Sequence, residues 1–421
     1  MRKIAFNDGW TCRHAGDSGK GKPVTIPHDA MLDEKRTQES LGGINVGWFE
    51  GFDYVYEKEF SVPQEYEDFR VVFEFEGVYR NAEVYLNGKR AGFRPYGYTN
   101  FYVEANEFLH FGMKNQIQVI AHNADQPNSR WYSGAGIYRP VSLYILPKKH
   151  IAVNGVKIST VKICPAVIDV KVETSAPGEL ELEIFEGESP VSGQEPIVKA
   201  KQSADGTLQM QLEIPNAKLW STESPFLYTC RVRFEADEIE EVFGIRKIEW
   251  SAENGFLMNG NRVILRGACI HHDNGVTGTA EFAHTAEFRV RKLKEAGYNA
   301  IRSSHYPMSR RLLEACDKFG MYVMDEFSDV WTTTKVDFDY GTHMAEWWEH
   351  DITNLVKKDY NHPCVIMYSI GNEIPETGNK FDTQWGKKLA DKLRSLDDSR
   401  YVTNSLNLML SIMDRLGSSV L

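Results

Sequence analysis

A chain of 421 residues is too long for one hydrophobic core, so several domains are expected. Its net charge of −11 argues against a nucleic-acid partner, which needs a basic face, and favours an uncharged ligand over a polyanion. The cysteines, Cys12, Cys164, Cys230, Cys269, Cys316 and Cys364, are too scattered for zinc-ligand spacing or for the dense framework of a small secreted scaffold.

The N-terminal run Met1-Arg2-Lys3-Ile4-Ala5-Phe6-Asn7 turns polar before a signal-peptide core can form. No apolar run reaches transmembrane length. A cytoplasmic protein with no membrane partner is therefore expected, and the sequence supports no metal or other cofactor.

Residues 1–147 alternate like a half-buried antiparallel sheet. Phe69, Val71, Phe73 and Phe75 share one face, and Glu74 and Glu76 take the other, expected to be solvated. After Val84 and Leu86, Asn87-Gly88 signals a tight hairpin, because its turn needs positive φ at both positions. Helical periodicity is absent, so a β-sandwich is expected.

Residues 148–250 read as a second, immunoglobulin-like sandwich. Ile168, Val170 and Val172 alternate with polar residues, as do Leu180, Leu182 and Ile184 after the turn Ala176-Pro177-Gly178.

From residue 251 to 421 the rhythm becomes strand, loop, helix. A strand near Val263-Ile264-Leu265 opens it, and a helix over 285–296 stops at Gly297. The strand Asn299–Arg302 follows, then a helix capped by Ser309 and ended by Gly320. Met321–Asp325 and Val365–Ser369 read as buried strands, with a helix bearing Trp348 and Ile352 between them. A helix with Trp385, Leu389 and Leu393 precedes the strand at Tyr401. A closed (β/α)₈ barrel takes about 250 residues, whereas about 170 remain here, so an incomplete barrel is expected.

Four polar clusters follow successive parallel strands: His271-His272-Asp273, Ser304-His305-Tyr306-Pro307, Asp325-Glu326 and Asn372-Glu373. Strand ends of one parallel barrel share a rim, so these clusters are expected to converge. Taken singly, each has a structural explanation; Asp325 or Glu326, for example, could pair with Arg302. Together they suit glycosidic cleavage, which needs one carboxyl to protonate the leaving oxygen and a second to attack or to activate water. Glu373, among other carboxylates on a buried rim, is expected to have its pKa pushed upward. Asn372 is placed to bond the hydroxyl beside the reacting carbon.

In this order the motifs resemble glycoside hydrolase family 2, which groups β-galactosidases, β-glucuronidases and β-mannosidases. Asn299–Pro307 continuing to Gly320, and Asp359-Tyr360-Asn361-His362-Pro363 continuing to Glu373, look like its two signatures. Ser129-Arg130-Trp131-Tyr132-Ser133-Gly134-Ala135-Gly136-Ile137-Tyr138-Arg139 resembles the end of its sugar-binding jelly roll, and Phe243-Gly244-Ile245-Arg246 the exit from its immunoglobulin-like domain.

The resemblance implies a multidomain β plus α/β fold: a jelly-roll β-sandwich, an immunoglobulin-like β-sandwich and an incomplete (β/α)₈ TIM barrel. It makes Glu373 the acid/base, Asn372 the 2-hydroxyl partner, and His271 and His305 sugar contacts. Asp325, Glu326 and Arg130 complete the expected substrate-binding set. Arg130 stands where family glucuronidases and some galactosidases carry an acid, and its Arg-Trp-Tyr-Ser-Gly setting is similar to a β-galactosidase branch. The family nucleophile is a second, later glutamate. Beyond Glu373 only Glu376 is present, too near in sequence to oppose it, so the chain alone is expected to be inactive.

The expectation is a retaining glycosidase for small carbohydrates, β-galactosides first, and a homo-oligomer. A β-glucuronidase, or a carbohydrate-binding protein without catalysis, are the alternatives.

Overall fold

In the computed structural model, residues 1–378, 383–409 and 412 are described. The first region packs two antiparallel sheets face to face. One has six strands and contains Tyr54–Ser61, Lys114–Ala121 and Ala82–Leu86; the other has four and contains Arg70–Phe75 beside Val141–Leu146. Phe73 and Phe75 from one sheet and Val84 and Val119 from the other meet in a shared core. Asn87 and Gly88 turn the expected hairpin with φ of 49° and 77°.

The outward face of the four-stranded sheet is not solvated, which corrects the expectation for Glu74 and Glu76. Glu74 is fully buried: its Oε2 accepts from Tyr144 Oη at 2.7 Å, and its Oε1 from Tyr102 Oη at 3.0 Å and Arg310 Nη2 at 3.1 Å. Burial alone would raise this carboxyl, but Arg310 and Lys3 bring it down to about 2. Glu76, whose nearest Arg310 nitrogen is 3.6 Å away, is instead pushed up by burial. Alternation alone could not reveal that a helix of the third region covers this face.

The second region also pairs two antiparallel sheets, with three and four strands. Ile168, Val170, Val172, Leu180, Leu182 and Ile184 all point into its core, as their period of two requires.

The third region is built on five parallel strands in sequential order. They are β1 (Gly267–Ile270), β2 (Ala300–Ser303), β3 (Tyr322–Glu326), β4 (Val365–Asn372) and β5 (Tyr401–Ser405). The helices between them are α1 (Ala283–Glu295), α2 (Arg310–Phe319), α3 (Gly341–Asp359) and α4 (Thr383–Leu396). Val263–Leu265 is not a strand of this sheet. It follows the hairpin Gly255–Arg262, and the short run Gly267-Ala268-Cys269-Ile270, with no bulky residue before Ile270, forms β1 instead.

Helix α2 illustrates the local logic. Ser309 Oγ caps it by accepting from Leu312 N at 3.1 Å. Leu312 and Leu313 are buried on its inner face, each contributing about 1.5–3 kcal/mol. Gly320 ends it at φ 73°, where a Cβ would also lie 2.6 Å from the Thr222 carbonyl oxygen. The core of this region takes in Tyr96, Tyr98 and Tyr138 from the first region and Trp220 from the second, so one apolar cluster joins all three.

Candidate active site

The polar clusters fall at the ends of β1 to β4, but alternation sends their side chains to different places. Glu326 is fully buried on the inner side of the sheet. Its Oε1 accepts from His305 Nδ1 at 2.6 Å, and its Oε2 from Arg302 Nε at 3.0 Å and Ser369 Oγ at 2.7 Å. The same Arg302 donates through Nη2 to Asn372 Oδ1 at 2.8 Å. Glu326 thus orients His305 and, through Arg302, Asn372 from below.

Asp325 is a correction. One residue earlier on β3, it faces the opposite side of the sheet, against α3. There its Oδ1 accepts from Met308 N at 2.9 Å, and its carboxyl lies against that of Asp359, which the Lys358 ammonium contacts. Burial first, then the Asp359 charge, holds Asp325 well above the ordinary carboxylate range. It takes no place on the rim.

Asn372 ends β4, and its amide is held at both ends. Besides the Arg302 contact, its Nδ2 donates to Asp329 Oδ1 at 2.8 Å. Glu373 is more open, with 37% of its side chain exposed. Its Oε2 accepts from Arg130 Nη1 at 3.3 Å and its Oε1 from Asn407 Nδ2 at 3.2 Å. Where like-charged neighbours were expected, a guanidinium stands.

Arg130 comes from the first region's loop, which reaches over this rim. It grips Asp329 with two prongs, Nε to Oδ2 at 2.9 Å and Nη2 to Oδ1 at 2.6 Å. Burial opposes the charge on Asp329, yet the bonds from Arg130 and the Lys335 ammonium hold its carboxyl below the ordinary range.

The loop is anchored by Asp29, which is 3% exposed. Its Oδ2 accepts from Tyr132 Oη at 2.7 Å, Thr279 N at 2.8 Å and Thr279 Oγ1 at 3.1 Å; its Oδ1 accepts from Met31 N and Ala135 N.

Trp131, beside Arg130, packs edge-on against His271 at 4.8 Å and His305 at 5.1 Å between ring centroids. The two imidazoles are themselves 5.6 Å apart. His271 Nδ1 lies 3.1 Å from Tyr306 Oη, and burial, aided by His305, pushes His271 toward its neutral form. The neighbouring His272 turns away and is buried between Tyr98 and Tyr306.

One continuous set of contacts therefore links His271, His305, Glu326, Asn372, Glu373 and Arg130. Glu376 faces elsewhere, accepting from Thr333 N at 2.7 Å, a loop role.

Sequence reading missed Asp329, Trp131 and Lys335. Lys335 Nζ donates to Asp329 Oδ1 at 3.0 Å and to the Asn372 carbonyl oxygen at 2.6 Å. Asp329 had a usable signal, since it is the first acid after the Glu326 strand end. Lys335, inside an irregular loop, had none.

Three family domains match the chain in sequence: the glycosyl hydrolases family 2 sugar-binding domain over residues 50–147, a second family 2 domain over 151–246, and the family 2 TIM-barrel domain over 251–419. A β-galactosidase of Bacteroides ovatus is 34% identical over 398 residues, covering 90% of this chain and 46% of that protein. A β-glucuronidase of Bacteroides fragilis is 26% identical, covering 96% of this chain and 61% of its own length. Among solved structures, a family 2 member from Bacteroides cellulosilyticus superposes with a TM-score of 0.91 at 30% identity, over 99% of this chain and 58% of that one. The chain spans about half the length of the curated relatives it matches. With three successive domain matches and an overall superposition on a solved member, the chain belongs to glycoside hydrolase family 2.

Proposed function

We propose that these residues supply the acid/base half of a retaining glycosidase acting on terminal β-linked neutral sugars, β-galactosides first. The observation that carries this reading is Glu373. It is a partly open carboxyl at a parallel strand end, beside Asn372 and under a loop that brings Arg130 and Trp131 over the two histidines. In the first step Glu373 protonates the leaving oxygen while a second carboxylate bonds the anomeric carbon. In the second, Glu373 takes a proton from the water that displaces that carboxylate. Glu326, the other carboxylate nearby, is saturated by Arg302, His305 and Ser369, so the nucleophile is placed outside these residues.

Charge supports a neutral sugar. Arg130 pairs with Asp329 and Glu373, Lys335 with Asp329, and Arg302 with Glu326. A uronate carboxylate would have to displace one of these partners.

The test compares nitrophenyl β-galactoside with the β-glucuronide, using the full-length protein and its Glu373→Gln variant. Loss of about 10²–10⁴-fold in galactoside turnover is expected from E373Q. Undiminished turnover in E373Q overturns the acid/base role, and faster glucuronide turnover moves the substrate to a uronide. Ordinary turnover by the 421-residue chain alone would refute the placement of the nucleophile.

A further inference from the structure

The backbone at Glu373 adopts φ 48°, the left-handed region that an ordinary side chain avoids. Such a conformation persists only where its surroundings hold it. Here the peptide between Asn372 and Glu373 is held at both ends. The Glu373 N–H donates to the Ser405 carbonyl oxygen at 2.7 Å, and the Asn372 carbonyl oxygen accepts from Lys335 Nζ at 2.6 Å. The Lys335 side chain is only 1% exposed, and its own loop is folded by Asp339, whose Oδ2 accepts from Lys335 N at 2.6 Å and Val336 N at 3.0 Å.

We propose that Lys335 is a positioning residue: its ammonium clamps the Asn372–Glu373 peptide in the orientation that presents the Glu373 carboxyl to the rim. This rests on the reading of Glu373 as the acid/base. A simpler role, neutralising Asp329, leaves much of the geometry unused. Asp329 already receives both prongs of Arg130 and the amide of Asn372, whereas the carbonyl contact on Asn372 belongs to Lys335. Without that donor a buried carbonyl loses its partner, and rotation of the peptide would relieve both that loss and the left-handed φ. The Glu373 carboxyl would then swing off Arg130.

The experiment uses Lys335→Met and Lys335→Arg in the full-length protein. K335M is expected to lose about 10²-fold in kcat on alkyl β-galactosides, whose leaving oxygen must be protonated. Glycosylation by dinitrophenyl β-galactoside, which departs without a proton, should change far less, and K335R should recover part of the loss. A crystal structure of K335M should show residue 373 out of the left-handed region, or its carboxyl withdrawn from Arg130. Should K335M not fold, Lys335→Gln, too short to reach the carbonyl, carries the same comparison. Equal losses on both substrates, or an unmoved Glu373, overturn the proposal. If the unmodified protein hydrolyses no glycoside, the functional reading fails, while the crystal structure still decides the clamp.

Discussion

Arg130 and Asp329, 199 residues apart in sequence, meet through two N–H···O bonds of 2.9 and 2.6 Å, one to each carboxylate oxygen. The third guanidinium nitrogen reaches Glu373, so one planar group fixes two carboxylates at once. Lysine keeps the charge but cannot offer that fork. On the proposed function, Arg130→Lys in the full-length protein is therefore expected to reduce kcat/KM for nitrophenyl β-galactoside by about 10²-fold. In a double-mutant cycle, Arg130→Met and Asp329→Asn should couple by about 1–3 kcal/mol of transition-state energy. Additive losses would show that the pair does not act as a unit.

Asp29 should matter more than its distance from Glu373 suggests. Its two oxygens take five hydrogen bonds from Met31, Tyr132, Ala135 and Thr279, tying the Arg130 loop to the segment before α1. Asp29→Ala leaves buried donors unpaired, and a loss of about 3 kcal/mol or more is expected. Urea denaturation measures it. A change under 1 kcal/mol would mean that water replaces the carboxylate without penalty.

Glu74 and Arg310 form a buried ion pair across the first and third regions. Glu74→Ala leaves the guanidinium only the more distant Glu76 and should cost about 3 kcal/mol, whereas replacing both partners by apolar residues of similar volume should cost much less. Denaturation of the single and double variants checks this. Equal losses in both would place the energy in packing rather than charge.

Asp325 gives a pH dependence whose sign is fixed by burial. Its folded pKa is raised, so the folded chain binds this proton more tightly than the unfolded chain. The stabilisation is complete below the unfolded value of about 3.9 and is lost as pH rises through the folded value. Asp325→Asn, which imitates the protonated form, should flatten the decline in stability on the alkaline side of that window. Urea midpoints measured from about pH 4 upward decide it; identical slopes for both proteins would rule out Asp325 as the titrating group.

Strand and helix signals were readable where one face alone meets the core, as in Ile168–Val172 and in α2 with its Ser309 cap and Gly320 stop. They failed where a second partner covers the other face, as at Glu74, or where small residues form the strand, as in β1. In the site, the order of clusters along the chain pointed to His271, His305, Asn372 and Glu373 as one group, since each stands at or just after the end of a parallel strand. It could not separate Asp325 from Glu326, because adjacent residues on a strand face opposite sides and only the neighbours tell which side is the rim. Asp329 and Lys335 act through loop geometry, for which periodicity carries no information.

The positive φ at position 373 sets chemistry against folding at a single residue. Glycine or asparagine would relax there by about 1–2 kcal/mol while discarding the carboxyl proposed as the proton donor. A library selected only for thermal resistance should drift toward those residues at 373, becoming hardier as it loses turnover.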